Sequence, residues 1–386
     1  MPLELTAEDI LPADGGLLVG RVWLNEAGGP SPILVLGQTV HDLSRLSPTV
    51  SGLFEHENLA AELVDGSFPA LGNLDEFLDG GDGTGSKGRL LAPCDLQAVK
   101  AAGVTFAGSM VERVIEERAK GEPERAEAIR AELGDIVGES LRGVVPGSDA
   151  AQAVKRVLQE RGLWSQYLEV GIGPDAEVFT KAQPMSALGC GAEVGVNPIS
   201  SWNNPEPEVV LAVNSRGTIV GTTLGNDVNL RDVEGRSALL LGKAKDNNGA
   251  CAIGPFIRIF DKGFALADVE EAAVSLSVRG EDGFVLEGES LMSAISRKPA
   301  DLAGQTLNAS HQYPDGFVLF LGTMFAPVKD RHAAGQGFTH ASGDVVRIAS
   351  PRLGALVNTV RRSDEIAPWT FGTRALMENL AKRGLL

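Results

Sequence analysis

Two glutamates one residue apart (Glu206 and Glu208), an Asn-Asp step at Asn226-Asp227, and a lysine set among small residues (Lys245) have the residue types and spacing to do chemistry. Alternate side chains of a strand share a face, so Glu206 and Glu208 can both offer oxygens to one cation. Carboxylate oxygens suit magnesium, manganese or calcium. If the strand reverses at Asn214-Ser215-Arg216-Gly217, paired residue numbers sum to roughly 431, which brings Asp227 back beside residue 204 so that three carboxylates converge. The competing reading is a pair of solvated edge glutamates. Pro205 and Pro207, which stiffen the strand start, and the apolar run Val209 to Val213 favour convergence. Lys245 follows Ala244 and precedes a run of small residues ending in Gly254-Pro255. A lysine so crowded is short of water and suits a charge partner for an anionic substrate or a developing enolate.

The elements that would position these groups are short strands. Forty-seven glycines and 20 prolines against 5% aromatics, in 386 residues, predict many turns and few long elements. Strand-like runs separated by glycine turns fill the carboxyl-terminal two-thirds, including Ala272 to Glu289 about a turn at 279–283, Phe317 to Leu321, and two strands after Gly343-Asp344. The reading is a β-rich α+β fold rather than a doubly wound one. The stretch DGGDGTGSKG, 79–88, has the composition of a loop and predicts a boundary between an amino-terminal β-rich cap, 1–90, and a catalytic domain, 91–386. A strongly charged helix is predicted after Gly103, with Met110, Val111, Val114 and Ile115 as its apolar stripe. Its Glu112 and Glu116 are either part of a solvated face or acid and base groups carried over the site by a lid. The last stretch, 369–386, is predicted to be a helix packing on the surface or on a partner subunit.

Several classes of function are excluded. A formal net charge of −17 repels nucleic acid and anionic membranes, while a small anionic substrate responds to local charge. There is no GxGxxG after a strand, no GxxxxGK[ST], no GxSxG and no HExxH, and the five histidines show no triad-like setting. Three scattered cysteines argue against a disulfide framework or a zinc site. With no signal-peptide pattern in MPLELTAEDI and no apolar run near the roughly 20 residues of a spanning helix, a cytoplasmic protein is expected.

Taken as an ordered set, Glu206-x-Glu208, GNDVNLRDVEG (225–235), AKDNNGACAIGP (244–255), LFLGT (319–323) and GDVVRIASPRLGALVNTV (343–360) resemble the fumarylacetoacetate hydrolase superfamily over about 100–360. The resemblance implies a mixed β-roll around a divalent metal, usually Mg2+ with Mn2+ as the other candidate, in a homodimer or homotetramer. It puts the metal ligands on Glu206, Glu208 and Asp227, the active-site lysine on Lys245, a substrate-contacting threonine on Thr323 and the lysine of a phenylalanine-x-lysine strand on Lys181. The compact connection from Glu208 to Asp227 is more like the branch that dehydrates 2-keto-3-deoxy sugar acids of five carbons, giving 2-oxoglutarate semialdehyde. Where hydrolase members place a water-activating histidine, the matching region offers Glu112 and Glu116, with Thr105 and Ser109 as polar substrate contacts. This implies a metal-assisted enolisation in which the lid glutamates move protons and Lys245 steadies the enolate. A carbon-carbon hydrolase of a 2,4-diketo acid and an inactive keto-acid-binding protein remain the alternatives.

Overall fold

The computed structural model describes residues 3–78, 85–141 and 143–386. Pro207–Val213 is buried at every position, which a strand achieves only when both faces are covered. It reverses through a turn closed by Asn214, whose side-chain oxygen accepts from the N–H groups of Arg216 and Thr218, both at 3.0 Å. Gly217 supplies the left-handed backbone that this turn needs, at φ +81°. The return strand is Ile219–Asp227. Pro207 pairs with Asn226 and Glu208 with Gly225, which is two residues beyond the expected register. Thr218 joins the turn and Val220 is skipped in the ladder, so Asp227 lies opposite Glu206 and donates its N–H to the Glu206 carbonyl at 3.0 Å.

This hairpin sits inside an eleven-stranded sheet. On one side follow Phe317–Phe320, then Ala98–Ala102 running parallel to it, then Val178–Ala182. On the other side Cys251–Ile259 pairs with the return strand and, in turn, with Leu18–Leu24, which leads to the strands of the amino-terminal segment. Strands from 1–90 thus extend the sheet that carries the hairpin. The stretch read as the domain boundary, 79–88, lies for its first six residues outside the described residues. A second, five-stranded sheet runs Val285–Leu291, Ala273–Arg279, Val345–Ser350, Gly354–Arg362 and Glu193–Val196. It shares one apolar core with the first sheet, including Val209, Leu224, Phe256, Leu276, Ile348 and Leu356.

Between Ala98–Ala102 and Val178–Ala182 the chain leaves the sheets for four helices, Ala107–Ala119, Pro123–Leu141, Asp149–Glu160 and Gln166–Ile172. Ser148 and Ser165 cap the last two by accepting backbone N–H bonds. The helices hold their own core of Val104, Met110, Val114, Leu158, Leu168 and Ile172. The fold is therefore β-rich α+β, as expected. The terminal helix, Thr373–Lys382, packs against the amino-terminal strands of the same chain, with Asn379 and Arg383 donating to the carbonyls of Ala27 and Pro30. Among the described residues, no helix is long and apolar enough to cross a membrane.

Candidate active site

Glu206, Glu208 and Asp227 are each at most 2% exposed, and one oxygen from each lies within 4.8 Å of the others. The hairpin register achieves this by placing residues 206 and 227 opposite each other at its open end. Glu208 reaches across to the 321–323 loop and accepts the Gly322 N–H at 2.6 Å. Gly322 has φ +96°, and a Cβ there would lie 2.2 Å from the Thr105 hydroxyl, so only glycine lets this loop close on Glu208.

Three cations face the carboxylates. Lys245, at the end of the short helix Leu241–Lys245, lies 2.5 Å from Glu206 and 3.0 Å from Asp227. Lys181, fully buried on strand Val178–Ala182, stands 2.8 Å from Asp227 and donates to the Lys245 carbonyl at 2.5 Å. Arg113 of helix Ala107–Ala119 pairs with the remaining oxygen of Glu206. The electrostatic outcome differs among these groups. Burial pushes Asp227 up, but Lys181 and Lys245 outweigh it and hold the carboxyl below its usual range. Burial pushes the Glu208 carboxyl well above its usual range, and Asp227 and Glu206 push it the same way. Burial alone would lower Lys245, yet Asp227, Glu206 and Glu234 keep it above the usual lysine range. A cluster in which one carboxyl can ionise only with more positive charge nearby, built wholly from hard oxygen donors, fits a divalent cation. Asp227 Oδ1 faces the Lys181 ammonium at 2.8 Å, and a carboxylate oxygen keeps a second lone pair for such an ion.

The carboxylates and Lys245 line a cavity of about 20 Å³, together with Gly103, Val104, Arg113, Glu177, Phe179, Glu234 and Thr323. The Phe179 ring lies 5.8 Å from the Lys245 ammonium. A larger groove of about 360 Å³, lined by Gln183, Ser186, Asp246 and Trp369, holds none of the three carboxylates.

The structure brings Glu206, Glu208, Asp227, Lys181, Lys245 and Thr323 together and sets the other sequence-nominated residues apart. The Thr105 hydroxyl donates to the Leu321 carbonyl at 2.5 Å and the Ser109 hydroxyl to the Thr323 carbonyl at 2.6 Å. Both hydroxyls are committed to the loop behind the site, and neither residue lines the cavity. Glu112 turns outward to Arg130 and Arg231, at 2.8 and 3.1 Å. Glu116 points inward but is held between Arg113 and Arg231, at 2.5 and 2.7 Å, and those arginines keep its carboxyl below the usual range against the opposing effect of burial. Neither lid glutamate reaches the cavity wall.

Sequence reasoning did not nominate three of the wall residues, Arg113, Glu177 and Glu234. Glu177 could have been found from its period-2 relation to Phe179 and Lys181, which puts all three on one face. Its carboxyl, with no hydrogen-bond or salt-bridge partner among the described residues, is pushed up to about 7 by burial and by Glu234. Arg113 and Glu234 carry no such signal. One sits in a charged helix and the other in the one-turn helix Arg231–Glu234, and both positions read as solvent-facing.

Residues 172–361 match the fumarylacetoacetate (FAA) hydrolase C-terminal family. The chain is 30% identical over 190 residues to 2-dehydro-3-deoxy-D-arabinonate dehydratase of Saccharolobus solfataricus, covering 49% of this chain and 60% of that one. It is also 30% identical over 202 residues to a probable 2-keto-3-deoxyxylonate dehydratase of Haloferax volcanii, covering 52% and 66%. The matched part is thus less than two thirds of either relative. Among solved structures, a 2-keto-3-deoxy-D-arabinonate dehydratase complexed with magnesium and 2,5-dioxopentanoate shares the fold, with a TM-score of 0.62 at 22% identity over 89% of this chain and 99% of that one. The match to the fumarylacetoacetate (FAA) hydrolase C-terminal family over 172–361 spans the region that holds the carboxylate triad, Lys181, Lys245 and Thr323.

Proposed function

We propose that this protein is a hydro-lyase that dehydrates a five-carbon 2-keto-3-deoxy sugar acid to 2-oxoglutarate semialdehyde, with Mg2+ held by Glu206, Glu208 and Asp227. The observation that carries this reading is the composition of the cavity wall. It offers carboxyls, Lys245 and Arg113 but no histidine to activate water for a hydrolase. The two relatives named as dehydratases of such acids support the choice of substrate.

Bound at the triad, Mg2+ would supply Lewis-acid polarisation of the 2-keto group. The chain's own residues do the rest. Lys245 places its ammonium beside the triad, where it steadies negative charge developing on the keto oxygen. Loss of a C3 proton leaves an electron pair that becomes the enolate. Return of that pair expels the C4 oxygen, which leaves as water once it takes a proton from Glu177, and tautomerisation gives the aldehyde. Glu112 and Glu116 hold the lid helix through Arg130, Arg113 and Arg231 instead of moving protons. A cavity of about 20 Å³ admits little more than one water, so the wall has to open to admit the substrate.

The direct test is aldehyde formation from a panel of 2-keto-3-deoxy acids with Mg2+ present. Release of pyruvate from a diketo acid without aldehyde formation would favour the hydrolase reading, and binding without turnover the inactive one. If Glu177 is the acid, its protonated form is the working one, so turnover should fall about tenfold per pH unit as pH rises above about 7. Glu177→Gln should lower turnover by about 10²–10⁴-fold and flatten that limb. An unchanged limb in the variant would remove Glu177 from the role. Glu112→Gln should stay close to the parent in turnover, in contrast to Glu177→Gln.

A further inference from the structure

Five carboxyl groups line the cavity. Three form the triad and Glu177 stands apart, which leaves Glu234 without a role in the chemistry described above. Its position is built with care. Arg231, at the start of the same one-turn helix, stacks its guanidinium 4.4 Å from the Trp202 ring and donates to the Pro327 carbonyl at 3.0 Å. Gly235 bonds back to the Arg231 carbonyl at 2.8 Å, and a Cβ on it would lie within about 3.0 Å of backbone atoms of Arg231, Glu116 and Gly121. These contacts fix the helix and aim Glu234 at the cavity. The residue is 5% exposed, yet its Oε2 makes no hydrogen bond. Arg113 lies 3.3 Å away and Lys245 4.0 Å away, so the oxygen is near two cations and committed to neither.

We propose that Glu234 is the catalytic base that removes the C3 proton, acting beside Lys245, while Glu177 serves as the acid at C4. The substrate follows from the dehydratase reading, but the base assignment can be tested apart from it. The C3–H bond breaks, its proton goes to the Glu234 carboxylate, and its electron pair becomes the C2–C3 enolate whose oxygen charge Lys245 faces. Proximity of Glu234 to Lys245 lets one take the C3 proton while the other faces the oxygen on the neighbouring C2. An oxygen with no hydrogen bond to break is free to take the proton. Burial holds this carboxyl above its usual range, with Arg113 and Lys245 working against that push.

Pyruvate is the decisive probe. It carries the carboxylate, the 2-keto group and exchangeable C3 protons but has no C4 hydroxyl, so it reads the base without the acid. In deuterated buffer with Mg2+, the parent should exchange the pyruvate methyl protons. Glu234→Gln should lose that exchange by about 10²–10⁴-fold, and Glu177→Gln should keep it while losing dehydration of the sugar acid. A Mg2+-induced thermal shift retained in Glu234→Gln shows that the triad is intact. Should the glutamine variant fail to fold, Glu234→Asp, with its shorter arm, should slow exchange and raise the isotope effect on C3 deuteration in dehydration. Parent-like exchange in the Glu234 variants overturns the proposal, as does equal loss in Glu177→Gln or absence of exchange in the parent. Exchange that depends on Glu234 in a protein that makes no aldehyde from any sugar acid sinks the dehydratase reading and leaves the base in place.

Discussion

Glu208→Ala should leave a folded protein that no longer responds to Mg2+ and turns over at least about a thousandfold more slowly than the parent. The size follows from the several kcal/mol a Lewis-acid metal contributes to a charged transition state, at about 1.4 kcal/mol per tenfold. Glu208 is the informative member of the triad because its electrostatics differ from those of its neighbours. Asp227 is steadied by two lysines and Glu206 by Lys245 and Arg113, whereas Glu208 accepts the Gly322 N–H and, among the described residues, forms no salt bridge. Burial and the two neighbouring carboxylates hold its pKa far above the ordinary value. A carboxyl whose folded pKa is raised destabilises the fold as pH climbs above its unfolded value, because ionisation is resisted in the folded state. In the metal-free protein, Glu208→Gln should therefore cost little stability at neutral pH, or add some, since glutamine replaces a protonated carboxyl of the same shape. The same variant should lose the Mg2+-induced rise in thermal midpoint. Calorimetric Mg2+ titration and thermal melts with and without the ion check both arms. Metal-dependent turnover in Glu208→Ala within about tenfold of the parent would move the centre elsewhere.

The part of this centre that could be read in the chain is the part built on strand periodicity. Glu206 and Glu208 converge because alternate strand residues share a face, and Lys245 is buried because its neighbours are small. Even here the register came out two residues away from expectation. A side-chain-closed turn at Asn214 and a skipped Val220 are local geometries that residue spacing does not encode. Helix Ala107–Ala119 defeats sequence reasoning for a different reason. A helix carrying Glu112, Arg113, Glu116, Glu117 and Arg118 presents charge on every side, and which charges turn inward depends on what meets them. Arg231 meets Glu116, and Glu206 meets Arg113, from elements about 90 or more residues further along the chain. The face turned to the cavity is consequently ionic, while Met110 and Val114 pack into the helices' own apolar core. Glu234 is hidden by the same kind of long-range pairing, since RDVEG alone reads as an exposed helical turn. Tertiary ion pairs, unlike periodic burial, leave no local trace.

Lys245→Met should separate metal binding from catalysis, because its two effects have opposite signs. The lysine ammonium and a divalent ion compete for the same oxygens: Lys245 lies 2.5 Å from Glu206 and 3.0 Å from Asp227 while only 3% exposed. Removing it leaves buried carboxylates short of positive charge, which costs about 3–5 kcal/mol in the metal-free protein. The sign holds throughout the neutral range. A lysine whose folded pKa is raised contributes its full stability below its unfolded value and loses it only as pH rises through the folded one, so none of the penalty is hidden at pH 7. Mg2+ should then restore much of the lost stability and bind more tightly than in the parent, since the competing cation is gone. Turnover should nevertheless fall by at least about a hundredfold, because the charge that would face the enolate oxygen is absent while the ion stays in place. A Mg2+ affinity that drops together with turnover would mean that Lys245 organises the triad and has no separate part in steadying the enolate.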